Sequence, residues 1–428
     1  MTNFLIATWE GGGSVMPMLT VAKKLADRGH RVRVMSDRCN RPEAEASGAS
    51  FIPWTKAPSR PDRSRESDTF RDWEAESPPE QIKLVMERVW TGPALDFAED
   101  LIAELRREPA DLVISSEMLM GVMAGCESIG QPFVALTCNI SLFPIPGVPP
   151  VGPGLMPAHT PEEEALHREI AAGNEALFAA GLPALNAARR LLGLRPLARI
   201  ADQLDAAEAV LLGTAEAFDF APPSLPDGVS YVGPQLADPP WAAPFRSPWP
   251  ADDVRPLILV GFSTTFQDHV AVLQAVIDGA ASLPVRVLVT LGDTIAPDEL
   301  VPAANTVLVH SAPHNDVMPH TALVITHGGH GTVARALMHL KPMIVVPHGR
   351  DQNDNAARVT ARNAGLMLPA TAAAADFRAA IETVLANPTY ADAAKRLGER
   401  VAADVEQSPV AEELERLVAC VRGRLEAA

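Results

Sequence analysis

Long apolar runs are missing from the 428 residues: nothing approaches the roughly 20 consecutive apolar positions that cross a bilayer. Met1-Thr2-Asn3 leads straight into an apolar strand pattern, without the basic and hydrophobic regions of a signal peptide. Cysteine is scarce as well. Cys39, Cys126, Cys138 and Cys420 are scattered without metal-ligand spacing, so a reduced, cytoplasmic protein is expected. Positive charge is short: 36 Lys and Arg face 53 Asp and Glu, a formal net charge of −17. Phosphate-backbone binding needs clustered Lys and Arg, so nucleic acid is excluded as a partner. Stable docking on an anionic membrane surface is disfavoured for the same reason. No short repeat of fixed period runs through the chain.

What is present is alternation. Length alone suggests two domains. In the first half, apolar strand patterns at Phe4–Thr8, Val32–Ser36, Phe51–Ile52, Leu112–Ser115 and Phe133–Thr137 alternate with helical stretches. The helices are expected at Pro17–Arg28, Glu80–Arg107, Leu119–Ile129 and across Pro161–Leu192. Pro17 suits a first helical turn, and Gly29 marks a stop. Such alternation implies a parallel, doubly wound sheet. Residues 237–256 hold six prolines and two tryptophans and read as a linker. A second βα series follows, with strands at Leu257–Gly261, Val285–Thr290, Thr306–Val309, Leu323–Thr326 and Met343–Val346.

Two inserts interrupt the first half. Lys56–Pro79 mixes proline with charge and reads as a solvated loop. Cys138–Thr160 carries Phe143, Met156 and other apolar residues among prolines and glycines. It either lines an acceptor pocket, with Phe178 and Leu182 available to it, or packs on its own side chains.

The chemistry concentrates in Leu323–Ala357, LVITHGGHGTVARALMHLKPMIVVPHGRDQNDNAA. A strand runs into His327-Gly328-Gly329-His330-Gly331-Thr332, and that turn opens a helix. The N–H groups of such a turn and the positive helix end face an anion together. Glycine lets the backbone approach the ligand closely. A short glycine motif alone is a weak signal. Asp351-Gln352 and Asn355, just past the next strand, add groups that hold hydroxyls beside a phosphate cradle.

This stretch resembles the donor-binding signature of inverting, nucleotide-sugar-dependent glycosyltransferases of the UDP-glycosyltransferase superfamily, in its bacterial natural-product branch. Leu257–Thr265 is similar to the strand and Ser/Thr loop that opens the donor domain there. Ala312-Pro313-His314 resembles its nucleobase loop, and Phe4–His30 its first βα unit. The resemblance implies the α/β GT-B fold, two Rossmann-like doubly wound domains facing across a cleft. Residues 1–236 would form the acceptor domain, rejoined by a final helix at 409–428. Residues 257–408 would form the donor domain.

By the same resemblance, His327 contacts the diphosphate, and Gly329, His330, Gly331 and Thr332 supply turn N–H and hydroxyl groups. Ser263 and Thr264 meet the phosphates from the neighbouring strand, Asp351 and Gln352 hold sugar hydroxyls, and Pro313 with His314 borders the base. No cofactor is implied, since the nucleotide sugar is a co-substrate. The chain has no Asp-x-Asp pair, so no metal site is expected. Many plant relatives carry a ribose-binding Glu three residues beyond the position of Thr332. Here that residue is Arg335, read as an exposed helix residue in preference to an alternative ribose contact, and UDP and dTDP sugars both stay open.

The acceptor side departs further. The family usually places a catalytic His three residues before the proline that starts the first helix, and this chain has Ser14 there. The acidic partner of that His maps to Ser116. Glu10 and Glu117 are the nearest carboxylates, and desolvation in a cleft could fit either as a base. Their bland alternatives are a Glu10 that hydrogen-bonds the glycine turn and a Glu117 that points to solvent. The expected activity is transfer of a hexose or deoxyhexose to a hydroxyl of a hydrophobic natural product by a monomer or homodimer. The rivals are a nucleotide-sugar-binding protein with lost or altered transfer, including C-glycosylation, and a lipid-linked transferase at the membrane.

Overall fold

The computed structural model describes residues 1–238, 244–262, 267–292 and 295–427. Seven strands form the first sheet: β1 Asn3–Ala7, β2 Arg31–Ser36, β3 Ser50–Pro53, β4 Leu112–Ser116, β5 Phe133–Thr137, β6 Ala209–Leu212 and β7 Val229–Tyr231. All pair in parallel, in the order β3-β2-β1-β4-β5-β6-β7. Six more form the second: β8 Leu257–Gly261, β9 Arg286–Thr290, β10 Thr306–Val309, β11 Leu323–Thr326, β12 Met343–Val345 and β13 Gly365–Met367. These are also parallel, in the order β10-β9-β8-β11-β12-β13. Each sheet reverses its winding once, between β1 and β4 and between β8 and β11. Ligands of doubly wound sheets sit beyond the strand carboxyl ends at such reversals, and both reversals open onto the same cleft.

Local sequence explains most of these elements. β4, β5 and β8 are buried along their whole length, as parallel strands covered on both faces must be. The first helix, Val15–Asp27, buries Val15, Met18, Leu19, Val21, Ala22 and Leu25 on one face, and Gly29 follows at φ +83°. Three strands of three or four residues, β6, β7 and β13, escaped the sequence reading.

The expected helix Glu80–Arg107 is broken. It runs as Pro78–Val85, widens into a π-type turn over Met86–Trp90, and restarts at Ala94–Arg107. Thr91 N and Gly92 N both donate to Met86 O, at 3.0 and 2.9 Å. A Cβ on Gly92 would lie 1.8 Å from Glu87 O, so only glycine fits that exit. The break turns Trp90 toward the cleft.

The two halves share buried structure. Ala215, Ala217 and Phe218, which follow β6, belong to the same apolar cluster as Leu257, Val324 and Val333 of the second half. Arg358 donates from Nε and Nη2 to Asp219 Oδ1, at 2.9 and 2.7 Å, and both residues are buried. Asp354 accepts from Gly152 N at 2.7 Å and Gly154 N at 3.1 Å, which ties the 138–160 insert to the second half. The final helix, Val410–Ala427, returns to the first half. Leu414, Leu417 and Val418 join Val21 and Leu25 in one cluster, and Arg28 pairs with Glu412 and Glu415. Among the described residues no helix is long and apolar enough to cross a membrane.

If that return holds the first half together, Leu414→Ala should cost about 2–5 kcal/mol, the usual range for deleting a fully buried leucine. Urea denaturation followed by tryptophan fluorescence would show it as a lowered midpoint. A loss below about 1 kcal/mol would mean the helix is not docked on the sheet.

Candidate functional site

One cavity of about 460 Å³ lies in the cleft and is lined from both halves. Its second-half wall is the glycine turn. Gly328 has φ +95°, and a Cβ there would lie 2.7 Å from Val345 Cγ1. At Gly329 a Cβ would lie 2.5 Å from His327 Nε2, so the imidazole folds directly over its own turn. The helix His330–Met338 starts there. Its first turn leaves N–H groups without intrahelical acceptors, at the positive end of the helix. His327, Gly329, His330, Gly331 and Thr332 all line the cavity, as do His314, Asp351 and Gln352. Pro313 sits behind His314 as the N-cap of a short helical turn. Ser263 and Thr264 lie outside the described residues.

Burial sets the charge state of this wall. Desolvation lowers His327 to about 3, with neighbouring His348 and Arg350 adding to the effect. His314 and His330 both fall to about 4, again chiefly by burial. At neutral pH these imidazoles are uncharged hydrogen-bonding groups, so they meet an anion as dipoles. His330 Nε2 bonds Thr214 Oγ1 of the first half at 2.8 Å, so its ring fastens the seam while its backbone belongs to the turn. Asp351 Oδ2 accepts from Asn355 Nδ2 at 2.9 Å, and burial raises its carboxyl. Gln352 Oε1 accepts from His348 N at 2.7 Å, which fixes the amide beside Asp351.

Two residues that sequence reasoning passed over or misjudged belong to this wall. Arg350 reaches the cavity from a left-handed backbone at φ +55°, and its guanidinium lies 4.8 Å from the Phe70 ring centroid of the first half. Its position directly before Asp351 was the available signal. Arg335 is a correction. Read as exposed, it is only 13% exposed and lines the cavity, because its guanidinium turns inward to Gly331 O and Ala237 O.

The first-half wall is mostly apolar and aromatic: Trp9, Phe70, Trp90, Met118, Leu142 and Phe178. Phe70 and the buried Arg60 come from the insert read as a solvated loop. Asp37 holds that insert down, accepting from Arg60 N and Glu10 N, both at 2.8 Å. Phe143 and Met156, expected in the acceptor pocket, are not in its wall. Phe143 packs one layer behind, against Trp90 and Phe178 at centroid distances of 6.2 and 6.3 Å. Met156 is 46% exposed on the outside of its loop. Leu182 likewise packs against the core.

The four residues proposed around the missing base separate. Ser14 and Glu10 line the cavity; Ser116 and Glu117 do not. Ser14 occupies the N-cap position of the first helix without a side-chain capping bond, and its carbonyl accepts from Cys138 Sγ at 3.2 Å. Glu10 does hydrogen-bond the glycine turn, from Gly12 N at 2.9 Å, and it also pairs with Arg63 Nε at 3.2 Å. Ser116 is buried, and its hydroxyl accepts from Met118 N at 3.4 Å. Glu117 does not point to solvent. It is 3% exposed, and burial with Asp351 nearby raises its carboxyl well above the usual range. With its nitrogen toward acceptors, the Asn139 amide donates to Glu117 Oε1 at 3.2 Å and to Ile140 O at 2.9 Å, standing between Glu117 and the cavity. Among the described residues no group of three or more His, Cys, Asp or Glu side chains could hold a metal ion.

A sequence profile described as "UDP-glucoronosyl and UDP-glucosyl transferase" matches residues 190–411. The chain is 29% identical over 405 residues to 4'-demethylrebeccamycin synthase of Lentzea aerocolonigenes, covering 93% of this chain and 95% of that one. It is 26% identical over 416 residues to demethyllactenocin mycarosyltransferase of Streptomyces fradiae, covering 92% and 83%. The solved structure of a calicheamicin glycosyltransferase superposes with a TM-score of 0.73 at 20% identity, over 98% of each chain. That likeness identifies the two-domain architecture as GT-B.

The placement of the two insert residues gives a direct check. Phe143→Ala should lower stability by about 3–5 kcal/mol as a core truncation, whereas Met156→Ala should stay within about 0.5 kcal/mol. Thermal unfolding of both variants measures the contrast, and a tolerated Phe143→Ala would move that ring out of the core.

Proposed function

The chain belongs to the UDP-glucoronosyl and UDP-glucosyl transferase family and is a glycosyltransferase; from that premise we propose that it moves a hexose or deoxyhexose from a nucleoside-diphosphate sugar to a hydroxyl of a hydrophobic natural product. The observation that carries the reading is the pairing of walls in one cavity. A glycine turn opening a helix faces a chamber of indole and phenyl rings. The first suits a diphosphate, and the second suits a flat, apolar acceptor. A binding protein without transfer is not favoured, because both relatives that match nearly the whole chain are named for synthesis or transfer. The reading carries a cytoplasmic location, no resident cofactor and no metal.

In this reading His327 and the first-turn N–H groups of His330–Met338 stabilise the charge that grows on the departing diphosphate. Asp351 and Gln352 hold the sugar hydroxyls, a carboxylate and an amide being able to accept and donate in pairs. The acceptor oxygen bonds to the anomeric carbon from the opposite face, the carbon–oxygen bond to the diphosphate breaks with its electron pair, and the configuration inverts.

The acceptor proton passes to Glu10, the base candidate that faces the cavity, while Ser14 orients the acceptor. Glu10 stands in the cavity wall beside Arg63, and a carboxylate there suits an acidic, phenolic hydroxyl. Glu117, buried behind Asn139 and outside the cavity wall, takes no part in the proton transfer.

Several outcomes check this. His327→Ala and Asp351→Ala should each lower kcat/KM for the donor about 100-fold, and unchanged donor kinetics in both would remove the site. Glu10→Gln should lower kcat about 100-fold with a phenolic acceptor. Glu117→Gln should stay within about threefold; the reverse pattern would transfer the role to Glu117. Transfer should persist in excess EDTA, and its loss there would overturn metal independence.

A further inference from the structure

Between the glycine turn and the His314 loop the cavity wall carries a charged pair that the transfer step does not use. We propose that Asp238, held in place by Arg335, accepts the hydroxyl hydrogens of the donor's ribose, so that the site prefers ribonucleoside diphosphates to their 2′-deoxy counterparts. This inference rests on the nucleotide-sugar reading above and deepens it.

Position comes first. Asp238 lies in the segment that leaves the first half after β7, and it lines the cavity together with Leu236 and Arg335. Its Oδ2 accepts from Asn315 N at 3.0 Å, the residue directly after His314. Arg335 stands one turn into the helix that the glycine turn opens. The carboxylate is therefore bracketed by the element proposed for the diphosphate and the one proposed for the base. A nucleotide spanning those two elements sets its sugar ring opposite Asp238.

Chemistry comes second. Ribose hydroxyls offer hydrogens, and an ionised carboxylate is acceptor-only, with about four lone-pair sites. Asn315 N uses one of them. The Arg335 guanidinium spends Nη1 on Gly331 O at 3.2 Å and Nη2 on Ala237 O at 2.7 Å. Its Nε stays 3.6 Å from Asp238 Oδ1, and this buried Nε has no hydrogen-bond partner among the described residues. Arg335 thus fixes and partly neutralises Asp238 without filling Oδ1. Removing two charges from water is costly unless their remaining hydrogen-bonding positions are met, and a vicinal diol meets those on the carboxylate. The competing use of the pair is mechanical: it ties the crossing segment to the second half and reads no ligand.

Isothermal titration with UDP and with 2′-deoxyuridine diphosphate separates these cases, since the base and diphosphate are identical. Wild-type protein should bind UDP more tightly by about tenfold or more, the value of a hydrogen bond to a charged group. In Asp238→Ala the ratio should fall to within about twofold, mainly through weaker UDP binding, and Asp238→Asn should fall between. Equal affinities in the wild type, or an unchanged ratio in Asp238→Ala, would overturn this inference and leave the donor reading standing. If neither nucleotide binds the wild type, the donor reading falls too. The wild-type ratio decides the first point even if a variant does not fold.

Discussion

Two parallel sheets that aim their carboxyl ends at each other have to close the space between them without stranding charge, and the buried contact of Arg358 with Asp219 does much of that closing. The carboxylate is satisfied from both sides: Arg358 binds Oδ1, and Tyr231 donates to Oδ2 at 2.9 Å. Arg362 adds bonds to the carbonyls of Ala217 and Asp219. A buried ion pair contributes little net stability when its Coulombic gain is set against desolvation, but removing one partner costs about 3–5 kcal/mol. Its value here lies in register. It fixes the helix Gln352–Ala361 against the segment after β6, and that helix begins at the residues proposed to hold the sugar.

The same seam explains why the imidazoles of the wall proposed to meet the diphosphate carry no charge. Closing the halves buries His314, His327 and His330 deeply enough to hold all three neutral. A positively charged wall would bind the diphosphate product as tightly as the developing charge, whereas fixed dipoles in a dry site act on charge as it forms. Asp351 and Glu117 extend the pattern, since both carboxyls are pushed upward by burial. Arginines line the cavity too, and Arg63 and Arg335 each stand against a carboxylate, Glu10 and Asp238. The cleft proposed to meet an anion is thus not strongly cationic, in keeping with a chain whose net charge is −17.

The chamber proposed for the acceptor follows from a different device. Trp90 reaches the cavity because the chain leaves a π-type turn at Gly92, and Phe70 because Asp37 draws the charged insert inward. Behind them Phe143 braces Trp90, and Phe178 packs against Trp90 within the wall itself. A wall of rings supported by rings loses little side-chain entropy when a flat acceptor binds. With Ser14 at the first turn, the chamber offers a hydroxyl and an ion-paired Glu10 as its polar groups near the start of the first helix.

Much of this could be read from the residues in order. The βα alternation, the two domains and the glycine turn depend on periods and turn chemistry within a few residues, and those interactions are written in adjacent letters. His327-Gly328-Gly329 is legible because the imidazole folds over a glycine two positions away. The rest depended on chain segments far apart. Phe143 and Met156 look alike in an apolar loop, and only packing against Trp90 sends one to the core and leaves the other outside. Glu117 looked solvated until Asn139 and Asp351 closed over it, and Arg335 looked exposed until the crossing segment at Ala237 and Asp238 supplied its partners. Burial is a sum over neighbours that sequence distance does not order. The residues therefore determined which groups were available, and the fold decided which were desolvated, paired and turned toward the cavity.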